Sequence, residues 1–356
     1  MGKLSGISLG FLVVLGFILA SYLQIQAADA STVQCLPAES VALLSFKAGI
    51  KEDPAGLLAN WLPHTDCCNW DYVGCNSNGH VISVNFNPNP PASTGVFLTG
   101  PLGSWFCDLP QLQVLDLSQM QNLTGTIPSA IGNLIDLVHL FLSTNKLKGT
   151  IPSTIGNLKK LQTLSLGENS ITGSIPSSLG DIGPSLTYID FGSASLSGSI
   201  PDSLYQLTNL NALFLIHNHM SGPLSPLIGN LAQLEDLEIS TNEFSGPLPS
   251  TLGKLSKLSV LDLSNNKFSG SMPASIGDIV NLGDLNLANN RLTGIIPPMW
   301  NTQLANLDAI SLNRNFLSGP IPYGGPFLYN GVDTFRPGNP GLCDDPLPPC
   351  KTKHKL

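Results

Sequence analysis

Apolar residues recur along most of the chain with a period of 24 or 25. Setting one apolar residue of each period in register gives Leu115, Leu140, Leu164, Ile189, Leu213, Leu237, Leu261, Leu285 and Ile310. The steps between them are 25, 24, 25, 24, 24, 24, 24 and 25. A degenerate copy precedes them around Val81–Leu109, which makes nine clear units and one weak one. The core of each unit, L-x-x-L-x-L, alternates apolar with polar. That spacing predicts a short strand buried on one face. Next in seven units comes an Asn: Asn145, Asn169, Asn218, Asn242, Asn266, Asn290 and Asn315. Its amide carries donors and an acceptor, so it can satisfy backbone groups where the chain leaves the strand. Ala194 interrupts this row, and the first clear unit has an extra residue near Met120; both places are expected to be less regular. A Gly follows in every unit, as at Gly149 and Gly270, and permits a tight bend. After it comes an apolar–Pro pair such as Ile151-Pro152, which suits an edge strand or the start of a helical turn. Ser225 stands in for this Pro once. The closing segments (SAIGNL, STIGNL, SSLGDI) space apolar residues three apart, enough for about one helical or 3-10 turn.

One unit cannot bury its own leucines and must stack on a neighbour. About seven inward apolar side chains per unit, each worth ~1.5–3 kcal/mol when fully buried, are covered only between units. The expected product is an elongated α/β solenoid, with parallel strands on one wall and short turns on a bulkier convex side.

Composition narrows the function. The chain is 42% hydrophobic and 11% charged, which excludes disorder. Lys+Arg 16 against Asp+Glu 24 gives a net charge of −8, the wrong sign for a general phosphate binder. Residues 1–30 read as a secretory signal: Lys3, an apolar stretch Leu9 to Leu23 too short to span a bilayer, and Ala28-Asp29-Ala30 for cleavage. No second hydrophobic span follows, and Lys351–Leu356 form a short basic tail. The expected divisions are 1–30 signal, 31–80 N-terminal cap, 81–322 repeats, 323–350 C-terminal cap and 351–356 tail.

Seven cysteines lie at 35, 67, 68, 75, 107, 343 and 350, clustered at the two ends of the array. Open solenoid ends need covers, and disulfides hold small covers together in an oxidising compartment. A zinc site is the alternative, against which spacing and the signal argue. Cys107 takes the place of Gly132 in the repeat frame; it is a structural free thiol or forms an intermolecular bridge. Asn122-Leu123-Thr124 is the one N-x-S/T sequon, a candidate glycan site.

The unit resembles that of the plant extracellular leucine-rich-repeat family, LxxLxxLxLxxNxLxGxIPxxLGxL. The resemblance covers residues 36–350. Its N-terminal cap is carried by Ala38–Gly49, Trp61, Asp66-Cys67-Cys68-Asn69-Trp70 and Val73-Gly74-Cys75, and its C-terminal cap by Gly338–Cys343 and Cys350. Among the members the chain is similar to polygalacturonase-inhibiting proteins. The resemblance implies a right-handed leucine-rich-repeat solenoid of about ten 24-residue units. Parallel strands would form its concave face and 3-10 turns its convex face. It implies disulfides Cys35–Cys67, Cys68–Cys75 and Cys343–Cys350. It also implies that concave strand positions carry contacts with a fungal enzyme.

Positions flanking the inward leucines should face solvent. They include His139, Phe141, Ser165, Glu168, Tyr188, Asp190, Phe214, His217, Asp236, Glu238, Asp262 and Asp284. Exposed Phe141, Tyr188 and Phe214 would be interface anchors. Asp190, Glu235, Asp236, Glu238, Asp262 and Asp284 would make a one-sign wall that attracts a basic partner. No nucleophile elbow, zinc helix or phosphate loop is present, so neither an enzyme nor a cofactor is expected. His217-Asn218-His219 does not suggest a metal pair, since its middle residue belongs to the amide row.

The expected function is therefore a secreted, monomeric defence protein of the cell wall. It would sterically block microbial pectin-degrading enzymes through its concave face. The alternative is a soluble recognition module binding a peptide or a receptor ectodomain. A pectin-binding wall protein ranks last, because an acidic wall repels polygalacturonate.

Overall fold

A computed structural model describes residues 34–86, 96–328 and 330–350. The signal and the basic tail lie outside these residues. Ten parallel strands stack in chain order, from Val81–Asn85 and Val114–Asp116 through Tyr188–Asp190 to Ala309–Ser311. Val73–Cys75 of the N-terminal cap closes the first edge in antiparallel fashion. The register is set by the leucines: Leu140 pairs with Leu164, and Ile189 with Leu164 and Leu213. All four side chains are fully buried. Pro128, Pro152, Pro176, Pro201, Pro249 and Pro273 each precede a short 3-10 turn on the opposite side.

The segment after the Asn does more than bend. It forms a second parallel sheet of eleven strands, from Leu98–Pro101 to Gly341–Cys343. Two features allow this. The glycine of each unit sits in the left-handed region (Gly149 at φ 81, Gly270 at φ 77), so the strand can continue into the turn. The Asn amide then occupies the backbone groups between the two sheets. Asn242 donates to the carbonyls of Leu215, Ile239 and Ser240 at 2.8, 3.2 and 3.2 Å. Its oxygen accepts from the Met220 N–H at 2.9 Å. Each amide thus bonds both its own unit and the one before. The row runs beyond Asn315: Asn339 in the C-terminal cap, fully buried, donates to Leu312 and Phe335 and accepts from Leu317. The residue before the amide position, whether Asn or Ala194 fills it, pays a conformational cost. Thr144, Glu168, Ser193, His217, Thr241, Asn265, Asn289 and Arg314 all lie at φ 52 to 56.

Of the two places where irregularity is expected, the one near Met120 shows it, whereas the backbone before Ala194 keeps the φ of its counterparts. Gln119 at φ 60 and Gln121 at φ 62 flank buried Met120 and absorb the additional residue of the first clear unit. At the N-terminal end, the helix Pro37–Gly49 covers the first leucines. Its buried Glu39 accepts from the Val81 N–H at 2.6 Å and meets His80 Nδ1 at 2.7 Å, which pins helix to strand. Phe46, Trp61, Trp70, Phe86 and Trp105 pack together beneath it. Cys35 is joined to Cys67, Cys68 to Cys75 and Cys343 to Cys350. The sulfurs that could have formed a zinc site are therefore bonded to each other.

The amide row gives a direct prediction. Asn242→Ala strands the buried Met220 N–H and takes one of two donors from each of the Leu215, Ile239 and Ser240 carbonyls; it should lower the unfolding free energy by about 2 kcal/mol. Ala194→Asn should raise it by about 1 kcal/mol, the net worth of a satisfied bond. Urea unfolding of the two variants against the parent checks both signs.

Candidate functional site

Every strand of the first sheet presents two side chains on either side of its inward leucine. One row pairs His139, Thr163, Tyr188, Ala212, Asp236, Val260 and Asp284 in order. The second pairs Asp116, Phe141, Ser165, Asp190, Phe214, Glu238, Asp262 and Asn286. The structure brings the candidate residues onto one wall. Glu168 and His217 sit at its rim instead, exposed at the left-handed position.

The expected exposure needs correction. His139 is 6% exposed, Tyr188 7%, Phe214 7% and Asp236 2%. Phe141, Ser165, Asp190, Glu238 and Asp262 are partly or fully covered, and Asp284 is the most open of the set. Parallel strands lie only ~4.8 Å apart, so a large side chain lies flat over a small neighbour. Thr163 separates His139 from Tyr188, and Ala212 separates Tyr188 from Asp236. Tyr188, Ala212 and Phe214 form a small apolar cluster, with the two rings 5.6 Å apart at 59°. His139 stacks on Phe141 at 6.1 Å. Burial lowers the His139 imidazole to about 4, so it is neutral at pH 7.

Part of the acidity belongs to the fold. Asp116, absent from the expected wall, is 2% exposed and accepts from the N–H and hydroxyl of Ser118 at 3.0 and 2.6 Å. Asp190 likewise accepts from the Gly192 N–H at 3.0 Å, and Asp262 from the Ser264 N–H at 2.8 Å. Each closes an Asx turn two residues ahead. The sequence signal was available as Asp-x-Ser or Asp-x-Gly at the end of a strand. Glu238 is too long for this role. Its carboxyl hydrogen-bonds that of Asp236, and burial, followed by Asp262 and Asp284, pushes it up to about 7. Burial also raises Asp190, and burial with Asp262 raises Asp284. The wall therefore carries a protonatable acidic field from strand Tyr188–Asp190 to strand Asp284–Asn286, beside a flat aromatic ledge.

His217 and His219 flank buried Asn218 and are both exposed. Cys107 is half-buried outside any disulfide, and burial with Asp108 pushes its thiol up to about 11. Asn122 is half-exposed on the second sheet, on the same side as Thr124 and opposite buried Leu123. Among the described residues no helix is long and apolar enough to cross a membrane.

Family models for a leucine-rich repeat region and a leucine rich repeat match residues 104–246 and 232–292, and one for a leucine rich repeat N-terminal domain matches 36–76. A polygalacturonase inhibitor of Vitis vinifera is 35% identical over 113 residues, 31% of each chain. The aligned stretch thus spans about a third of the length of the curated relatives it matches. The solved structure of a plant ice-binding protein superposes with a TM-score of 0.75 at 28% identity, over 90% of this chain and 99% of that one. The repeat ectodomain of the plant membrane receptor kinase GASSHO1/SCHENGEN3 of Arabidopsis thaliana, solved in complex with CASPARIAN STRIP INTEGRITY FACTOR 2, gives 0.74 at 33% identity. That match covers 80% of this chain and 33% of that one.

Glu238 holds its proton to higher pH when folded than when unfolded. Between about pH 4.5 and 7 the folded chain then binds more protons, and this carboxyl's contribution to stability falls as pH rises. His139 acts with the opposite sign between about pH 4 and 6.5. Relative to the parent, Glu238→Gln should therefore lose less melting temperature from acid to neutral pH. His139→Asn should lose more. Thermal unfolding over that range measures both.

Proposed function

The chain is a leucine-rich-repeat protein of the plant type, and on that footing we propose that it works by binding another protein along its concave sheet. The observation that carries this is the joint placement of the Tyr188–Phe214 ledge and the carboxylates Glu238, Asp262 and Asp284 on consecutive strands. A flat aromatic surface supplies contact area at little entropic cost, and a one-sign rim steers and orients a basic partner. The partner is a microbial polygalacturonase, and inhibition is steric, by covering the substrate cleft. Similarity to the Vitis vinifera inhibitor supports that choice. The same face would serve a peptide or receptor ectodomain, which the receptor-kinase ectodomain solved with its partner supports as the alternative. The protein acts outside the cell as a monomer and catalyses nothing itself. A glycan on Asn122 projects from the second sheet and leaves the concave sheet open.

Asp236 is too buried for a clean probe and Asp262 caps a turn, so Glu238→Lys with Asp284→Lys tests the face. The parent should slow release of reducing ends by at least one of several fungal polygalacturonases. The double variant should bind at least tenfold more weakly, mainly through slower association. No complex with any of the enzymes removes the inhibitor reading. Capture of a peptide or ectodomain instead moves the assignment to the alternative.

A second reading concerns the other sheet. Thr99, Thr124, Thr172, Ser197, Ser221, Ser245, Ser269, Thr293 and Ser318 take the same outward place in successive units, with Lys148 interrupting. The hydroxyls of Thr124 and Thr172 donate to the glycine carbonyl of the preceding unit at 3.2 Å, which fixes their rotation. Such a row repeats at ~4.8 Å and can template ordered water. Similarity to the ice-binding structure supports this reading. The parent should retard coarsening of ice grains, and Ser197→Lys with Ser245→Lys should abolish the effect; coarsening at the buffer rate with the parent rejects it.

A further inference from the structure

Unit four lacks two bridges that recur between other units, on two different faces, while Ser165–Asp190, Thr187–Gln162 and the Asn218 amide still tie it to its neighbours. Toward unit three the gap is in the buried amide row, at half-buried Ala194. Asn315 follows a step of the same length and reaches the Leu287 carbonyl at 2.8 Å and the Leu292 N–H at 3.0 Å. The equivalent groups for position 194 are the Leu166 carbonyl and the Ile171 N–H.

Toward unit five the gap is in the turns. The hydroxyls of Thr154, Ser178, Ser203, Thr251 and Ser275 each donate to a carbonyl in the preceding turn, at 2.6 to 2.7 Å. Leu227 takes that place in unit five and is 40% exposed. The same junction lacks the close glycine approach. A Cβ on Gly156, Gly180 or Gly253 would lie 2.2 to 2.3 Å from a carbonyl oxygen of the next unit. Tyr205 occupies that position in unit four, 1% exposed, so the facing turns must stand further apart there.

The stability of such an array is a sum of unit and nearest-neighbour terms, so weak junctions open first. We propose that unit four is a joint, about which units one to three and units five to nine change their relative inclination as two stiff blocks. Its strand Tyr188–Asp190 lies mid-way along the concave sheet. A partner lying across that sheet would select among the inclinations the joint allows.

Hydrogen–deuterium exchange on the full chain tests the weak junctions. Amides of residues 186–216 should exchange about five- to tenfold faster, per missing bridge, than those of units six and seven. Dyes on Thr150→Cys and Ser271→Cys, in a Cys107→Ser background, test the motion. Their transfer-efficiency distribution should narrow when Ala194→Asn and Leu227→Ser restore both bridges. Fast exchange with an unchanged distribution would mean local fraying without a joint and would overturn the proposal. If the restored variant does not fold, the parent's exchange map decides, and equal protection of units four and six ends it.

Discussion

No unit of this protein can satisfy itself. Its leucines are covered by the leucines of its neighbours, and its strand-to-turn backbone is satisfied by neighbouring backbone and, in most units, by an amide that spans two units. Cohesion is therefore a nearest-neighbour property, and the structure follows from keeping neighbours in register. The amide row does this because an Asn displaced by one residue would lose all four of its partners together. The same logic explains why the row continues through Asn339: the last true unit needs a partner as much as the others do. The C-terminal cap is thus a continuation of the repeat's hydrogen bonding, held by Cys343–Cys350, as well as a cover for apolar surface.

Close neighbours also shape the binding wall. Glycines in the turns bring successive units so near that even a methyl group would collide. On the opposite side the strands are spaced by their backbone hydrogen bonds, and the wall has little relief. In one row bulky residues alternate with small ones, as His139, Thr163, Tyr188 and Ala212 do. Aromatic anchors on this wall are consequently ledges, and not prongs: they offer area to a flat partner and little to a protruding side chain. Burial then raises the neighbouring carboxylates, which makes the field of the wall depend on pH within the mildly acidic range.

Much of this was legible in the residues. The period, the strand core, the amide row, the glycine and the proline each have a single physical role, so their spacing specified the solenoid, the turns and the irregular site at Met120. The second sheet was not legible, because x-L-x-G-x offers too short an alternation and reads as a bend. Asn339 was missed because the cap has no leucine frame around it. Side-chain exposure on the wall was misjudged for a different reason. Alternation says which face a residue points to, but not whether its neighbours on adjacent strands are large enough to cover it. Asp116 and Asp190 show the related limit: the Asp-x-Ser and Asp-x-Gly patterns were visible, yet they read as surface charge until the N–H groups they cap were located.

The division of labour along the wall follows from these points. Strands two to six largely bury their outward residues and gain cohesion from them: a neutral histidine, an Asx-turn aspartate and an aromatic pair are all consumed by packing. Strands nine and ten carry Asp284 and Ala309, both exposed, whose removal leaves the interior untouched. Substitution can therefore proceed there at low cost to folding, as surface changes usually do. A wall whose first half is constrained by the fold and whose second half is free can retain one scaffold while changing its partner. The boundary falls at Glu238, which belongs to both halves: buried enough for its proton to be held, and close enough to Asp262 and Asp284 to share their field.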